Sequence, residues 1–209
     1  MHAELKELRL LLFQIKRMRR NSFLASLSLL MFFACSNNQS GVPRPRGFER
    51  INLPEKNFKR VALENCHYSF EIPSYAELKL DPYPSAEECW YNVYYKPFGA
   101  TLHLSYREVK DRKDLFKLLN DSREMVFKHV MRADQIIENY VSTDQFHGIF
   151  YELDGSTATN AQFYVTDSTE HFLRGSLYFD VKTNQDSIAP VLKFLKADML
   201  HLIETLHWE

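Results

Sequence analysis

The sequence predicts an α+β domain in which a largely antiparallel sheet packs with two amphipathic helices. Three observations support this prediction. Apolar and polar side chains alternate in several short segments, as they do in strands with one buried face. Two longer stretches, 111–133 and 188–206, instead repeat apolar residues at three- and four-residue steps, as helices do. Seven of the eight prolines lie between Pro43 and Pro97, which favours extended segments and turns there.

The N-terminal segment resembles a bacterial lipoprotein signal. Arg19 and Arg20 precede an apolar run, 23–33, that ends in Ala34 and Cys35. A basic head, a short apolar centre and a small residue before the cut are the parts of a secretory signal. A Cys directly after the cut indicates lipid attachment. We therefore expect removal of residues 1–34 and acyl chains such as palmitate on Cys35.

A simple N-terminal anchor helix is the alternative interpretation of this segment. The apolar run is about half of the roughly 20 residues that a membrane-spanning helix needs, which favours the signal. Glu4 and Glu7 are unusual in the basic head of a signal, whereas Met18 directly precedes the arginines. We expect translation to start at Met18.

Composition and length limit the partners and the number of domains of the part that follows the signal. The first 34 residues carry six basic and two acidic side chains, which leaves 20 basic and 25 acidic in the remainder. A mildly acidic domain argues against nucleic acid as a partner. Residues 35–50 form a polar, Pro-bearing tether, and residues 51–209 have the length of a single domain. Attachment to the bilayer would therefore depend on the lipid at Cys35.

Two cysteines, Cys66 and Cys89, remain beside Cys35. In an oxidising envelope compartment such a pair is typical of a disulfide. It would close a loop of about 24 residues and stabilise the fold by roughly 3 kcal/mol in the chain-entropy model. Two buried free thiols, or half of a metal site, are the alternatives, although no Cys-x-x-Cys spacing supports a metal.

The first elements are extended. Residues 68–72 alternate large apolar and polar side chains and stop at Pro73. The segment 89–95 is aromatic and β-branched, and 100–106 alternates again. The turn residues 96–99 between them predict a hairpin. The stretch between Pro73 and Cys89 is expected to be a long loop.

A helix is predicted over 111–133, with Asp111 and Asp114 in its first turn, where carboxylates meet free backbone amides. Its buried stripe comprises Leu115, Leu118, Leu119, Ser122, Met125, Val126, His129 and Val130. Four extended runs follow, at 136–141, 147–153, 161–165 and 172–181, with turn residues between them and at 182–184. They predict an antiparallel meander.

The last element is a helix over 188–206. Its apolar stripe comprises Ile188, Val191, Leu192, Leu195, Met199, Leu202, Ile203 and Leu206. Asp186 or Ser187 can cap it, and Pro190 falls in the first turn, where its missing N–H is harmless. By fold analogy alone, the order of hairpin, helix, meander and helix resembles the PsbP/Mog1-like sandwiches, which are binding modules.

The search for a catalytic set finds one candidate, Ser168 with Asp167 and His171. No Gly-x-Ser-x-Gly turn surrounds this serine, and triad members need proximity in space rather than in sequence. A turn in which Asp167 and Ser168 bond the backbone explains the segment better. The spacing of the histidines and the scattered glycines predicts neither a metal site nor a phosphate-binding loop. We therefore expect no enzymatic activity and no cofactor.

The first hairpin is rich in aromatic residues, most of which should be packed in the core or on the sheet. A solvent-facing subset would form an interaction surface. The candidates for that surface are Tyr83, Pro84, Trp90, Tyr91 and Tyr94. Tyr83 and Pro84 lie in the loop that the predicted disulfide would close, and such stiff loops often carry recognition.

Several stretches resemble the gliding motility lipoprotein GldD family of Bacteroidota. They are 43–51 (PRPRGFERI), 66–76 (CHYSFEIPSYA), 89–92 (CWYN), 100–106 (ATLHLSY), 162–169 (QFYVTDST), 171–179 (HFLRGSLYF) and 198–206 (DMLHLIETL). They cover almost all of the chain after the signal. Residues 1–17 have no counterpart, which agrees with a start at Met18.

The resemblance implies a cell-envelope lipoprotein that is needed for gliding, is associated with the type IX secretion machinery, and has no known enzymatic activity. Its partners would be the bilayer and other envelope lipoproteins of that apparatus. Residues 36–41 contain no acidic cluster, so we expect a periplasm-facing domain at the outer membrane. The alternative function is an envelope domain that binds a small ligand or a glycan and has no role in motility.

Overall fold

The computed structural model of the protein describes residues 51–63, 65–180 and 185–209. Several predictions lie outside the described residues: the signal, Cys35 and its tether, and the turn at 182–184. The side chains of Asp186 and Ser187, which are the predicted caps of the last helix, also lie outside them.

The described elements comprise ten strands and two α-helices. In chain order they are β1 (Phe58–Ala62), β2 (Tyr68–Pro73), β3 (Glu77–Leu80), β4 (Tyr91–Tyr95), β5 (Ala100–Glu108), α1 (Arg112–Phe127), β6 (Ala133–Ser142), β7 (His147–Gly155), β8 (Thr159–Thr166), β9 (His171–Phe179), α2 (Gln185–Glu204) and β10 (His207–Trp208). A short 3₁₀ turn, Lys96–Phe98, connects β4 to β5.

In the described part, the strands form two antiparallel sheets. The larger sheet has seven strands in the order β3-β4-β5-β9-β8-β7-β6, and the smaller has three in the order β1-β2-β10. The predicted hairpin is β4–β5, with Val93 opposite Leu102. The predicted meander is β6 to β9, and β9 returns to pair with β5. The prediction of an α+β domain with a largely antiparallel sheet is therefore confirmed.

The core lies on one face of the large sheet and is shared with α2 and the small sheet. Alternate residues of each strand reach it, such as Leu102 and Leu104 of β5 and Leu173 and Leu177 of β9. The predicted apolar stripe of α2 supplies Val191, Leu195, Met199, Leu202 and Ile203, all of which are buried. The apolar side chains that alternate along the strands and those that recur every three or four residues along α2 thus pack together in one layer.

Helix α1 lies on the opposite face of the large sheet. Its N-cap is Asp111, whose Oδ1 accepts a hydrogen bond from the backbone N–H of Asp114 at 2.8 Å, as the sequence predicts. Val126 packs with a small cluster on β7 that includes Ile149, Tyr151 and Leu153. This cluster is separate from the main core.

The prediction for α1 is wrong in two respects. The helix ends at Phe127 rather than at 133, and its apolar residues do not form one buried stripe. Within α1, which is described throughout, Ser122 and Val126 are the buried positions, whereas Met125 is 42% exposed. The reason is the sheet beneath the helix, where Ser105, Arg107 and Arg174 are polar. A polar surface offers no apolar area against which the first turns could be buried.

The loop predicted between Pro73 and Cys89 is also shorter than expected. Strand β3 lies within it and pairs with β4, so the irregular part runs from Asp81 to Trp90. Strands β1 and β10 were not predicted either. Both pair with β2. This pairing holds β1 extended although its side chains alternate only weakly, and it holds β10 extended although β10 has only two residues.

Candidate functional site

The irregular segment 81–90, called the stapled loop below, is held at both ends. Cys66 and Cys89 form a disulfide, with their Cα atoms 5.6 Å apart. The carbonyl oxygen of Cys89 accepts a hydrogen bond from the Tyr68 hydroxyl at 2.7 Å, and the backbone N–H of Asp81 bonds the carbonyl oxygen of Trp90 at 3.0 Å. The loop is therefore a closed, positioned structure between β3 and β4.

Tyr83 and Pro84 form the exposed tip of the stapled loop. Tyr83 is 65% exposed, and its backbone N–H bonds Oδ1 of Asp81 at 2.9 Å. This Asx-type bond shapes the turn that carries the ring. A large aromatic side chain held by a short, stapled loop is suited to contact with another protein.

The other three candidate residues do not share one surface with this tip. Tyr91 points to the core side of β4 and packs against the main core. Trp90 and Tyr94 lie on the opposite side of the sheet, where the Trp90 ring lines a cleft beneath α1 and the Tyr94 ring lies 5.6 Å from Lys79 Nζ. Alternation along β4 separates Tyr91 from Trp90 and Tyr94 because neighbouring side chains point to opposite faces.

Ser168 and His171, the catalytic candidates, are not paired with each other. Ser168 Oγ lies 3.1 Å from Nε2 of His147, which is on the neighbouring strand β7. His171 instead contacts the Tyr106 hydroxyl through Nδ1 at 2.8 Å and stacks on Trp208, with ring centroids 4.9 Å apart. Both rings of that stack belong to the packed interior of the domain.

Asp167 organises the turn around Ser168. Its Oδ1 accepts hydrogen bonds from the backbone N–H groups of Thr169, Glu170 and His171 at 2.9–3.0 Å. Burial raises the pKa of the Asp167 carboxyl, but these donors outweigh burial and leave the pKa below its ordinary value. Asp167 is thus committed to the backbone, as the interpretation of the segment as a turn predicts. Ser168 itself has a left-handed backbone, with φ of 68°, which fits such a turn.

The described residues show neither a metal cluster nor a helix that could cross a membrane. Within residues 51–63, 65–180 and 185–209, no group of three or more His, Cys, Asp or Glu side chains could hold a metal ion. Across the same ranges, no helix is long and apolar enough to span a bilayer.

The sequence interpretation missed the cleft beneath α1. It has a volume of about 300 Å³ and lies between α1 and the strands β5 and β9. Arg174 is in its floor, directly opposite Ser105 in the β5–β9 register. One signal was present: Arg174 alternates with Leu173 and Gly175, so it lies on the sheet face that α1 covers.

Comparison with known proteins identifies a family and a similarity of fold. The family model of the gliding motility lipoprotein GldD matches residues 38–208. A search of the curated proteins found no match. The fold is similar to the solution structure of cyanobacterial PsbP (CyanoP) from Synechocystis sp. PCC 6803, with 11% identity, a TM-score of 0.47, and coverage of 77% of this chain and 97% of that one. We draw no functional conclusion from a similarity at this level.

The family match is broader than any single element. It begins three residues after Cys35 and includes each strand and helix described above. It also includes the stapled loop, the disulfide and the cleft. Because the matched segment is most of the chain, this protein belongs to the gliding motility lipoprotein GldD family.

Proposed function

We propose that this protein is a non-catalytic, lipid-anchored component of the gliding apparatus that works together with the type IX secretion machinery. The observation that carries the proposal is the family match, which begins just after the cysteine expected to receive the lipid. Acyl chains on Cys35 would hold the domain at the outer membrane, facing the periplasm, and residues 36–50 would act as a tether.

The proposed mechanism is scaffolding by surface contact. The stapled loop presents Tyr83 and Pro84 on a rigid support, and a large exposed aromatic ring in a positioned loop is a common anchor in protein interfaces. The partners would be other envelope lipoproteins of the gliding and secretion apparatus. The exposed Ser168–His147 pair has no carboxylate that orients the histidine among the described residues, which supports a role without catalysis.

The anchor is tested by a Cys35→Ala strain, with intact mass, membrane fractionation, surface spreading and protein secretion as the measurements. We expect wild-type protein to begin at Cys35 and carry lipid mass, and the variant to leave the membrane fraction and to abolish spreading. Normal spreading and secretion in a strain with the gene deleted would contradict the proposed function altogether.

The contact surface is tested by Tyr83→Ser in the stapled loop. The matched control is Tyr140→Ser on β6, because Tyr140 is also strongly exposed, at 82%, but lies on the edge strand opposite β3. We expect Tyr83→Ser to reduce spreading while protein level and thermal stability stay unchanged, and Tyr140→Ser to have no effect. Equal effects of the two variants would refute a specific role for the loop.

The absence of catalysis is tested by Ser168→Ala and His147→Ala strains. We expect both to spread and secrete like the wild type. Loss of either function in a variant that is stably folded and membrane-bound would show that the pair does chemistry.

A further inference from the structure

The cleft beneath α1 has a cationic floor. Arg107 and Arg174 come from β5 and β9, and the strand residues that line the cleft include no carboxylate. The two lining carboxylates, Asp114 and Asp121, both belong to α1, as does the third lining cation, Lys117. Arg107 is paired with Glu87 of the stapled loop, so Arg174 is the floor cation that remains for a ligand.

Arg174 has an unusual environment for an arginine. Burial lowers the pKa of its guanidinium, yet among the described residues it makes no ion pair with a carboxylate. One of its N–H groups donates to Oε1 of Gln162 at 2.6 Å. A guanidinium has five N–H donors, and a largely desolvated one is normally paired. The remaining donors of Arg174 are therefore available to the cleft.

Neutral groups beside Arg174 add to this donor set. Ser105 is directly opposite Arg174 on β5 and lines the cleft, and its hydroxyl makes no hydrogen bond with the other described residues. The Oε1 atom of Gln162 is shared between Arg174 and the Ser176 hydroxyl, which lies 3.4 Å away. Gln162 thus holds the guanidinium in place by accepting one of its N–H groups.

Part of the cleft lining is apolar. Trp90, Phe172, Leu118 and Met125 line it, and the Trp90 ring is fixed because its Nε1–H donates to the carbonyl oxygen of Tyr106 at 2.8 Å. A volume of about 300 Å³ is at the small end of ligand sites. A buried arginine beside a hydroxyl, next to aromatic and aliphatic side chains, fits a small anion that carries an apolar chain.

A carboxylate fits these donors better than a phosphate. Its two oxygens match the paired N–H groups of one guanidinium, with Ser105 as a third donor. A doubly charged phosphate would meet the carboxylates of Asp114 and Asp121 across the cleft, which the single charge of Lys117 on the same helix offsets only in part. We propose that this cleft is a binding site for a fatty carboxylate, with its head group on Arg174 and Ser105 and its chain against Trp90 and Phe172.

The fluorescence of Trp90 provides a direct measurement. The chain has two tryptophans, and the other, Trp208, has a buried Nε1 without a hydrogen-bond partner among the described residues. Trp208→Phe therefore removes its signal without removing a bond. The full chain with this substitution, in phosphatidylcholine vesicles, is titrated with octanoate, with octanol as the uncharged probe and acetate as the probe without a chain. Vesicles without protein serve as the blank.

We expect octanoate to change Trp90 emission saturably and to bind at least about tenfold more tightly than octanol or acetate, since a hydrogen bond to a charged group is worth that much. Arg174→Met should weaken octanoate binding by a similar factor. Arg112→Met, on α1 but outside the cleft lining, is the control and should leave it unchanged. Equal responses to octanoate and octanol, or equal binding by both variants, would overturn the proposal.

A second variant covers the case in which Arg174→Met lowers thermal stability. Leu118→Trp keeps the guanidinium and fills the cleft from the α1 side; its added tryptophan requires octanoate binding to be measured by calorimetry. We expect saturable binding to disappear while the melting temperature is retained. Unchanged binding would place the ligand elsewhere.

A short apolar peptide with a free C-terminal carboxylate that bound more tightly than octanoate would make the ligand a protein and overturn the assignment to a fatty acid.

Discussion

Lys56 and Asp198 form an ion pair that joins the chain before β1 to the middle of α2, with Lys56 Nζ 2.8 Å from Asp198 Oδ1. The Asp198 side chain is fully buried, whereas that of Lys56 is 31% exposed. The other carboxylate oxygen of Asp198 accepts a hydrogen bond from the Tyr75 hydroxyl. Burial, reinforced by this bond to the carboxylate, raises the pKa of Tyr75 well above its ordinary value. The segment that leads into β1 is thus fastened to α2 in the core.

Removing the lysine from this pair should destabilise the domain. Lys56→Met leaves the buried carboxylate of Asp198 without its cation, which we expect to lower the free energy of unfolding by about 2–3 kcal/mol. Urea unfolding measures the change. Lys59→Met is the matched control, because Lys59 is exposed on β1 and makes no ion pair among the described residues. A loss of the same size in the control would show that the pair is not the cause.

Breaking the disulfide should loosen the stapled loop and lower stability. The bond spans 23 positions of sequence, for which the loss of loop-closure entropy is worth about 3 kcal/mol. We expect Cys66→Ser together with Cys89→Ser to lower the free energy of unfolding by about that amount. Addition of a reductant should destabilise the wild type and leave the double variant unchanged. A reductant effect in the double variant would contradict this assignment.

Two glycines should differ sharply in their tolerance of alanine. A Cβ at Gly148 would overlap the backbone carbonyl of Tyr164 on the paired strand β8, and backbone cannot rotate away. Gly148→Ala should therefore cost about 3 kcal/mol of stability. Gly99 has φ of 54°, but its nearest neighbour would be Asp180 Oδ2 at 3.7 Å. We expect Gly99→Ala to cost about 1 kcal/mol, from backbone strain alone. Thermal unfolding of both variants distinguishes overlap from strain.

Two histidines should make stability fall in mild acid. Burial lowers the pKa of His103, although the Asp81 carboxylate partly offsets it, and burial with the charge of Arg174 lowers the pKa of His129. The unfolded chain, with an ordinary pKa near 6.5, therefore binds more protons than the folded one as the pH falls below that value. Their contribution is fully present above the ordinary pKa and is lost as the pH falls through the lowered pKa values of the folded protein.

Replacing both histidines tests this pH dependence. In His103→Gln with His129→Gln, the free energy of unfolding should decline less between about pH 7 and pH 5 than in the wild type. His147→Gln, on the exposed end of β7, is the control and should keep the wild-type slope. A steeper decline in the double variant would show that the sign is wrong. Below about pH 4 a further decline is expected in all variants, because Asp167 then loses its bonds as it becomes protonated.

The elements that could be predicted from the sequence are those with their own internal pattern. The stripe of α2 repeats over five turns, so Leu195 and Met199 could be assigned to the core before any partner was known. The β4–β5 hairpin was recognisable because a turn signal separates two alternating runs. The disulfide could be predicted without a structure, because two cysteines in an oxidising compartment have few other partners than each other.

The candidate site was harder to predict because its residues are brought together by pairing between distant strands. Trp90 and Tyr91 are neighbours in sequence, yet one lines the cleft and the other packs in the core. Ser168 contacts His147, 21 residues earlier, rather than the nearby His171. Sequence distance does not report such contacts, because the strand register decides which side chains meet.

The class of fold, the hairpin, the last helix and the resemblance to the lipoprotein family could all be inferred from the sequence, because local periodicity and motifs are properties of contiguous residues. Three features required the folded domain: α1 rests on a partly polar sheet face, Arg174 lacks a carboxylate partner among the described residues, and Lys56 reaches Asp198. Each of these depends on the relative placement of elements that are far apart in the chain, which follows from packing of the whole domain rather than from any one segment.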